Sequence, residues 1–337
     1  MPRQKSILIV YAGGTIGMRR SRRGYVPQAG FLEARMAAMP DLRSPDLPRY
    51  AIHELVPLLD SANMRPRDWL TIGRAIRDAY DEHDGFVVIH GTDTMAYTAA
   101  ALSFMLDNLG KPVILTGSQI PLVEVRSDGR ENLITSLLIA ARYRLPEVCL
   151  YFGDRLLRGN RATKVSAAGF RAFASPNFPP LGRAGVEIEI DRELLRPMPS
   201  APFRLRPVAH PHVADLRIFP GITAELLRQF LAPPLDGAVL HTYGVGNAPD
   251  DPELLAAIAA ATARGVVLVN CTQCLKGRVD MEDYATGKAL LEAGVISGYD
   301  MNPEAALTKL FYLLSRGLET AEVRRLMQQD LRGELSR

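Results

Sequence analysis

The chain has 337 residues, with 40 Lys+Arg against 37 Asp+Glu for a formal charge of +3, and 47% of its residues are apolar. That composition excludes a disordered chain, a collagen or a coiled coil, and at roughly 100–200 residues per domain the length predicts two domains, each with its own core. No apolar run approaches the ~20 residues that cross a bilayer, and the near-balanced charge gives no reason to expect nucleic acid, so neither a membrane nor nucleic acid is expected as a partner.

The only N-terminal apolar run, Ile7 to Val10, is too short for a signal peptide and leads into a glycine pair, which predicts a cytoplasmic protein. Cys149, Cys271 and Cys274 are an odd number in a long chain, against a disulfide framework and in keeping with a reducing compartment. Only six of the basic residues are lysines, and Arg19, Arg20, Arg22 and Arg23 sit together.

In chain order, short apolar runs bounded by turn residues predict strands at Ile7–Tyr11, Tyr50–Leu55, Phe86–His90, Val113–Thr116 and Val148–Phe152. Between them, Pro66 fits the first turn of a helix whose Trp69, Ile72, Ile76 and Tyr80 share a face, and Thr94–Leu109 and Asp128–Arg142 have the same character. Strand–helix alternation of this kind predicts an α/β fold with a mostly parallel sheet flanked by helices. Prolines 197, 199, 202, 207 and 211 then interrupt the pattern, and residues 196–212 are expected to form a linker between an N-terminal domain, 1–195, and a smaller C-terminal α/β domain, 213–337. In the latter, helices are expected at Thr223–Phe230, Pro252–Arg264 and Pro303–Ser315, and strands at Gly237–His241 and Val266–Asn270.

Ligands of open parallel sheets bind beyond the carboxyl ends of the strands. The residues that follow the strands of the first half are Gly13-Gly14-Thr15, then Asp60-Ser61, then Gly91-Thr92-Asp93-Thr94, then Gly117-Ser118-Gln119. Hydroxyls, a carboxamide and two acids thus gather on one edge, where Gly14 and Gly91 let backbone N–H groups approach a ligand, as suits a carboxylate. Gly13-Gly14-Thr15-Ile16-Gly17 lacks the G-x-G-x-x-G spacing of a dinucleotide site, and Glu33 lies in a helical pattern rather than at a strand end.

Cys271-Thr272-Gln273-Cys274 has no second pair to complete a zinc shell and follows a strand, so two small residues at a strand end explain it. His90 fits a hydrogen-bonded strand-end residue better than a general base, and His210-Pro211-His212 lacks H-E-x-x-H geometry. Lys164 stands out in an arginine-dominated chain. It fits either a surface side chain or a group retained because, unlike arginine, it is able to lose a proton, which would allow Thr–Lys–Asp hydroxyl chemistry.

Gly13-Gly14-Thr15-Ile16-Gly17, the run Gly85-Phe86-Val87-Val88-Ile89-His90-Gly91-Thr92-Asp93-Thr94-Met95 and Gly117-Ser118-Gln119-Ile120-Pro121-Leu122 together resemble the L-asparaginase/glutaminase family. Arg158–Val165, Ser175–Leu181 and Tyr243–Pro249 look like its cytosolic type I bacterial branch, and the match runs in order along nearly the whole chain. The resemblance implies hydrolysis of L-asparagine to L-aspartate and ammonia through a β-aspartyl ester on the threonine matching Thr15, with Tyr25 beside it. Thr92, Asp93 and Lys164 match the set that assists proton transfer. Asp60, Ser61 and Asp93 match substrate-holding positions, with Asp93 facing the α-ammonium group.

Gly14, Gly91, Thr92 and Ser118 complete the expected substrate site, where N–H and hydroxyl donors would hold the α-carboxylate and stabilise the oxyanion. The resemblance implies no metal or organic cofactor. It implies a homodimer, often paired into a dimer of dimers, with the Tyr243–Pro249 loop near a neighbour's site. Three residues depart from the family pattern: Ala12 replaces a usual threonine, Asn63 a common acid, and His241 an arginine. In some relatives that arginine joins the cysteine matching Cys274 in an allosteric asparagine site, and His241 sets this chain apart from them at that position. Met18–Tyr25, with its arginines, is expected to be a lid loop that orders with ligand. Two other functions share these features: an amidotransferase subunit that passes ammonia to a partner, and a non-catalytic amino-acid sensor.

Overall fold

Alternation at period two builds the larger sheet. Along Ser6–Gly13 (β1), Leu8 and Val10 face one way and Ile7, Ile9 and Tyr11 the other, and all are buried. A strand apolar on both faces needs a layer on each, and the computed structural model of the protein supplies both. It describes residues 3–22, 24–282 and 285–336, and the chain divides into two units, Met1–Arg206 and Pro207–Arg337.

In the first unit β1 is followed by Arg49–Leu59 (β2), Gly85–Ile89 (β3), Val113–Thr116 (β4), Val148–Phe152 (β5), Arg155–Arg158 (β6), Gly182–Ala184 (β7) and Ile188–Ile190 (β8). These form one eight-stranded sheet in the order β8-β7-β6-β5-β4-β3-β1-β2. β1 to β5 are mutually parallel, and β6, β7 and β8 extend the edge antiparallel. Phe31–Ala37 (α1) and Gly129–Arg142 (α4) cover one face through Leu32, Met36, Leu133 and Leu137. Pro66–Asp78 (α2) and Met95–Met105 (α3) cover the other through Ile72, Ile76, Ala99 and Leu102. The expected α/β class and mostly parallel sheet are therefore present.

Two expectations need correction. α3 stops at Met105 rather than Leu109, because Leu106–Asp107 pairs antiparallel with Arg204–Leu205 and Asn108 adopts a φ of 54°, which a right-handed helix does not continue through. The same ladder ties part of the proline-rich stretch 196–212 to the first unit. Met18–Tyr25 is not a loop: Met18–Ser21 pairs antiparallel with Gly24–Pro27, placing Arg20 opposite Tyr25. Gly24, at φ 97°, takes the left-handed conformation that closes the turn. Arg23 lies outside the described residues.

In the second unit Val213–Arg217 (β9), Gly237–Thr242 (β10), Val267–Thr272 (β11) and Ile296–Ser297 (β12) form a parallel sheet in sequential order. Ala224–Phe230 (α5) and Pro252–Ala263 (α6) pack on one face through Leu227, Leu254 and Ile258. Pro303–Leu314 (α8) and Thr320–Met327 (α9) pack on the other through Leu310, Leu313 and Val323, while Ala285–Glu292 (α7) leads into β12. No helix among the described residues is long and apolar enough to cross a membrane.

Candidate active site

The carboxyl ends of β1, β2, β3 and β4 meet on one edge of the first unit's sheet. At the end of β1, Gly14 has a φ of 95° and opens a 3-10 turn over Thr15–Gly17. A Cβ on Gly14 would strike the backbone of Gly91, and a Cβ on Gly91 would strike the Ser61 side chain. These two absent side chains let the ends of three strands touch. Thr15 is half-buried, and its hydroxyl has no hydrogen-bond partner among the described residues.

β2 runs to Leu59, so Asp60 and Ser61 follow it directly. The Asp60 carboxylate accepts the Ala62 N–H at 3.1 Å and fixes the turn that buries Ser61. The Thr94 hydroxyl donates to the Ser61 carbonyl at 2.8 Å, joining the ends of β2 and β3.

Beyond β3, Thr92 is buried and Asp93 exposed. Lys164 reaches both from a separate element: Thr163–Lys164 pairs antiparallel with Phe173–Ala174, and its Nζ donates to Thr92 Oγ1 at 2.9 Å and to Asp93 Oδ1 at 2.7 Å. The lysine side chain is 21% exposed and the aspartate 62%, so the ammonium group is sheltered while the carboxylate still faces outward. Because Lys164 occupies the Thr92 oxygen as an acceptor, the threonine keeps its own hydrogen to donate. At present it donates to Gln119 Oε1 at 3.4 Å.

Ser118 is buried at the end of β4 against Gly129, and its hydroxyl has no partner among the described residues. The loop after it is held by Asp128, whose carboxylate accepts the N–H groups of Gln119 and Ile120 at 3.0–3.1 Å. Tyr25 is not turned to Thr15: its phenol donates to Glu124 at 2.7 Å, and this hydrogen bond raises its pKa. Its strand nonetheless packs against the Thr15–Gly17 turn. The edge thus gathers Gly14, Thr15, Ser61, Gly91, Thr92, Asp93 and Lys164, with Asp60 at its margin.

His90 is fully buried, with Nδ1 on the Gly91 carbonyl at 2.7 Å and Nε2 on the Thr98 hydroxyl at 2.9 Å. Burial pushes its pKa down to about 4, so it is a neutral structural group beneath the site. The Cys271 thiol is buried and pushed up to about 12 by desolvation and the Asp215 charge, while Cys274 is exposed and free. His241 on β10 is paired with Asp215 on β9. No cluster of three or more His, Cys, Asp or Glu able to hold a metal occurs among the described residues.

Sequence reasoning placed the Gln119 carboxamide on this edge but missed the supporting residues Asp128 and Glu124 as parts of the site. Asp128 reads as the start of a helix, and its contact with the loop nine residues before it leaves no local periodic signal. Glu124 is 99 residues from Tyr25.

Comparison with known proteins matches residues 6–196 to the family description "Asparaginase, N-terminal" and 212–327 to "Glutaminase/Asparaginase C-terminal domain". The chain is 52% identical to L-asparaginase 1 of Escherichia coli, over 99% of this chain and 98% of that one. It is 45% identical to a 60 kDa lysophospholipase of Mus musculus, over 99% of this chain and 63% of that longer protein. The crystal structure of L-asparaginase I from Vibrio cholerae is similar with a TM-score of 0.93 and 52% identity, covering 99% of this chain and 100% of that one.

Proposed function

The chain belongs to the asparaginase family, and from that premise and the geometry of the edge we propose that it hydrolyses L-asparagine to L-aspartate and ammonia, with Thr15 as nucleophile. The observation that carries the reading is the double contact of Lys164 with Thr92 and Asp93, on an edge where Gly14, Gly91 and Ser61 are in van der Waals contact.

Thr15 Oγ attacks the side-chain amide carbon of asparagine and its proton passes to a base. The C–N bond breaks, ammonia leaves with a proton, and a β-aspartyl ester remains. Water then attacks the ester carbon, returning the hydroxyl to Thr15 and releasing aspartate. Splitting the hydrolysis in this way replaces one difficult step by two easier ones. The backbone N–H groups around Gly14 and Gly91-Thr92 are the donors available to the oxyanion.

The exposed Asp93 carboxylate suits the α-ammonium group of the substrate, and the Asp60–Ser61 turn its α-carboxylate end. Thr92, with Lys164 on its oxygen, is placed to donate a hydrogen to the reacting group or to orient water. Glutamine is one methylene longer and would misplace its amide carbon. The hairpin carrying Tyr25 acts as a lid over Thr15: closing requires Tyr25 to exchange Glu124 for the site.

The resemblance also supports a homodimer or dimer of dimers in the cytoplasm, consistent with three free thiols. Ammonia release from asparagine by the purified chain and by Thr15→Ala tests the reading. The wild type alone is expected to release ammonia, and the variant to lose at least about 10³-fold in kcat. Equal rates would overturn the nucleophile. A chain inactive without a second protein would favour the amidotransferase alternative, and binding without turnover the sensor.

A further inference from the structure

The segment after β4 turns twice before α4 begins. The Glu124 N–H donates to the Pro121 carbonyl at 3.0 Å, the Ser127 N–H to the Glu124 carbonyl at 3.1 Å, and the Ser127 hydroxyl to the Ile120 carbonyl at 2.9 Å. With the Gln119 and Ile120 N–H groups on Asp128, these bonds make the segment a fixed ledge. The Leu122 N–H then reaches the Ile16 carbonyl at 3.1 Å, inside the Thr15–Gly17 turn. The ledge that presents Glu124 is therefore bonded to the turn that presents Thr15.

Met18–Ser21 and Gly24–Pro27 form the hairpin that leaves the same turn. Its Tyr25 is 43% exposed, so water competes for the phenol, yet the hydroxyl donates to Glu124 Oε1 at 2.7 Å. A carboxylate acceptor makes this bond stronger than one between neutral groups. A phenol has one hydrogen and donates it either to Glu124 or into the site at Thr15, never to both at once. The carboxylate that Tyr25 leaves is not stranded: Arg35 on α1 and Arg130 on α4 line the groove in which Glu124 sits, although Arg130 also holds Asp41 at 2.5 Å. Each group thus has a partner in either position of the hairpin.

We infer that Glu124 is a catch: in the empty site it holds the Tyr25 phenol away from Thr15, so that every substrate or product molecule competes with an internal carboxylate before the hairpin closes over it. Glu124 in this role presupposes the nucleophile and the lid proposed above, and it sets the balance between open and closed. A ligand that needs the closed hairpin binds with an affinity reduced by the fraction of molecules able to close, so the catch weakens binding. When its bond re-forms, it draws the hairpin open and lets aspartate leave.

The test is titration calorimetry of the full chain with aspartate, in the wild type, Glu124→Ala, Glu124→Gln, Tyr25→Phe and Tyr25→Phe/Glu124→Ala. Glu124→Ala is expected to bind aspartate at least about threefold more tightly than the wild type, and to lower KM for asparagine with no gain in kcat. Glu124→Gln keeps a neutral acceptor for the phenol and is expected to fall between the two, which also keeps the test decisive if the alanine variant fails to fold. In Tyr25→Phe, where no hydroxyl remains to be held, removing Glu124 is expected to change nothing. Tightening of equal size in both backgrounds would reduce Glu124 to a negative charge near an anion and overturn the catch, as would unchanged or weaker binding in Glu124→Ala. Aspartate that binds the wild type without slowing tryptic cleavage at Arg19, Arg20 and Arg22 would remove the lid, and the catch with it. No aspartate binding by the wild type would overturn the proposed function itself and, through it, the catch.

Discussion

Lys164 shows how much of the proposed chemistry depends on one side chain. It arrives on a two-residue strand, yet one nitrogen meets both the Thr92 hydroxyl and the Asp93 carboxylate. Lys164→Met removes both contacts, and ammonia release is expected to fall about 10²–10⁴-fold, the range of a lost acid–base or positioning group. Lys164→Arg keeps the charge but brings a planar fork where a compact ammonium group fits, and is expected to recover little. Steady-state kinetics on both variants, with circular dichroism as a control for folding, checks this; a loss of less than about threefold in Lys164→Met would remove the lysine from the mechanism. Composition alone left Lys164 divided between a surface residue and a proton carrier, and only the family resemblance set it beside Thr92 and Asp93. Its sheltered position beside two residues more than 70 positions away resolves where it sits, which no local pattern carries.

The strands buried on both faces were legible because burial writes itself as short apolar runs: Val113–Thr116 and Val148–Phe152 stand in the structure with the expected ends. Elements whose partners lie far off were not legible. β2 extends to Leu59 beyond its apolar stretch because β1 supplies its ladder, and β7 and the edge strand β8 are three residues each, with an exposed charge. The hairpin proposed as a lid belongs to this class. Met18–Ser21 and Gly24–Pro27 are four residues each, with no fully buried residue and a charged first strand, and look like a loop until paired. A two-stranded hairpin is marginal by itself, so what holds it is its packing on Thr15–Gly17 and the Tyr25–Glu124 hydrogen bond. Trypsin is therefore expected to cut at the exposed Arg19, Arg20 and Arg22 at a rate set by opening of the hairpin, more slowly with saturating aspartate and faster in Tyr25→Phe. Cleavage followed by mass spectrometry that is indifferent to aspartate would sink the lid.

For the molecule as a whole, pH acts first through a group that the chemistry does not use. His90 lies just beyond β3 in the first unit, with no exposed surface and both ring nitrogens hydrogen-bonded, and its pKa falls from the ordinary 6.5 to about 4 because burial penalises the imidazolium form. Unfolding frees it to take up a proton below pH 6.5. Stability is thus full above that pH, declines as pH falls from 6.5 towards 4, and loses about 3 kcal/mol across the window at ~1.4 kcal/mol per unit. Asp84 and Glu334, whose folded pKa values lie below the ordinary carboxylate range, act only at lower pH and do not blur it. The chain's one tryptophan, Trp69, is buried in α2 of the same unit, so its fluorescence reports the unfolding of the body that contains His90 even if the second unit unfolds separately. Urea titrations read at Trp69 from pH 7.5 to 4.5 are expected to show the midpoint falling in the wild type and a flatter profile in His90→Gln, which has no proton to gain. Parallel profiles for the two proteins would mean that His90 does not set the acid limit of the first unit.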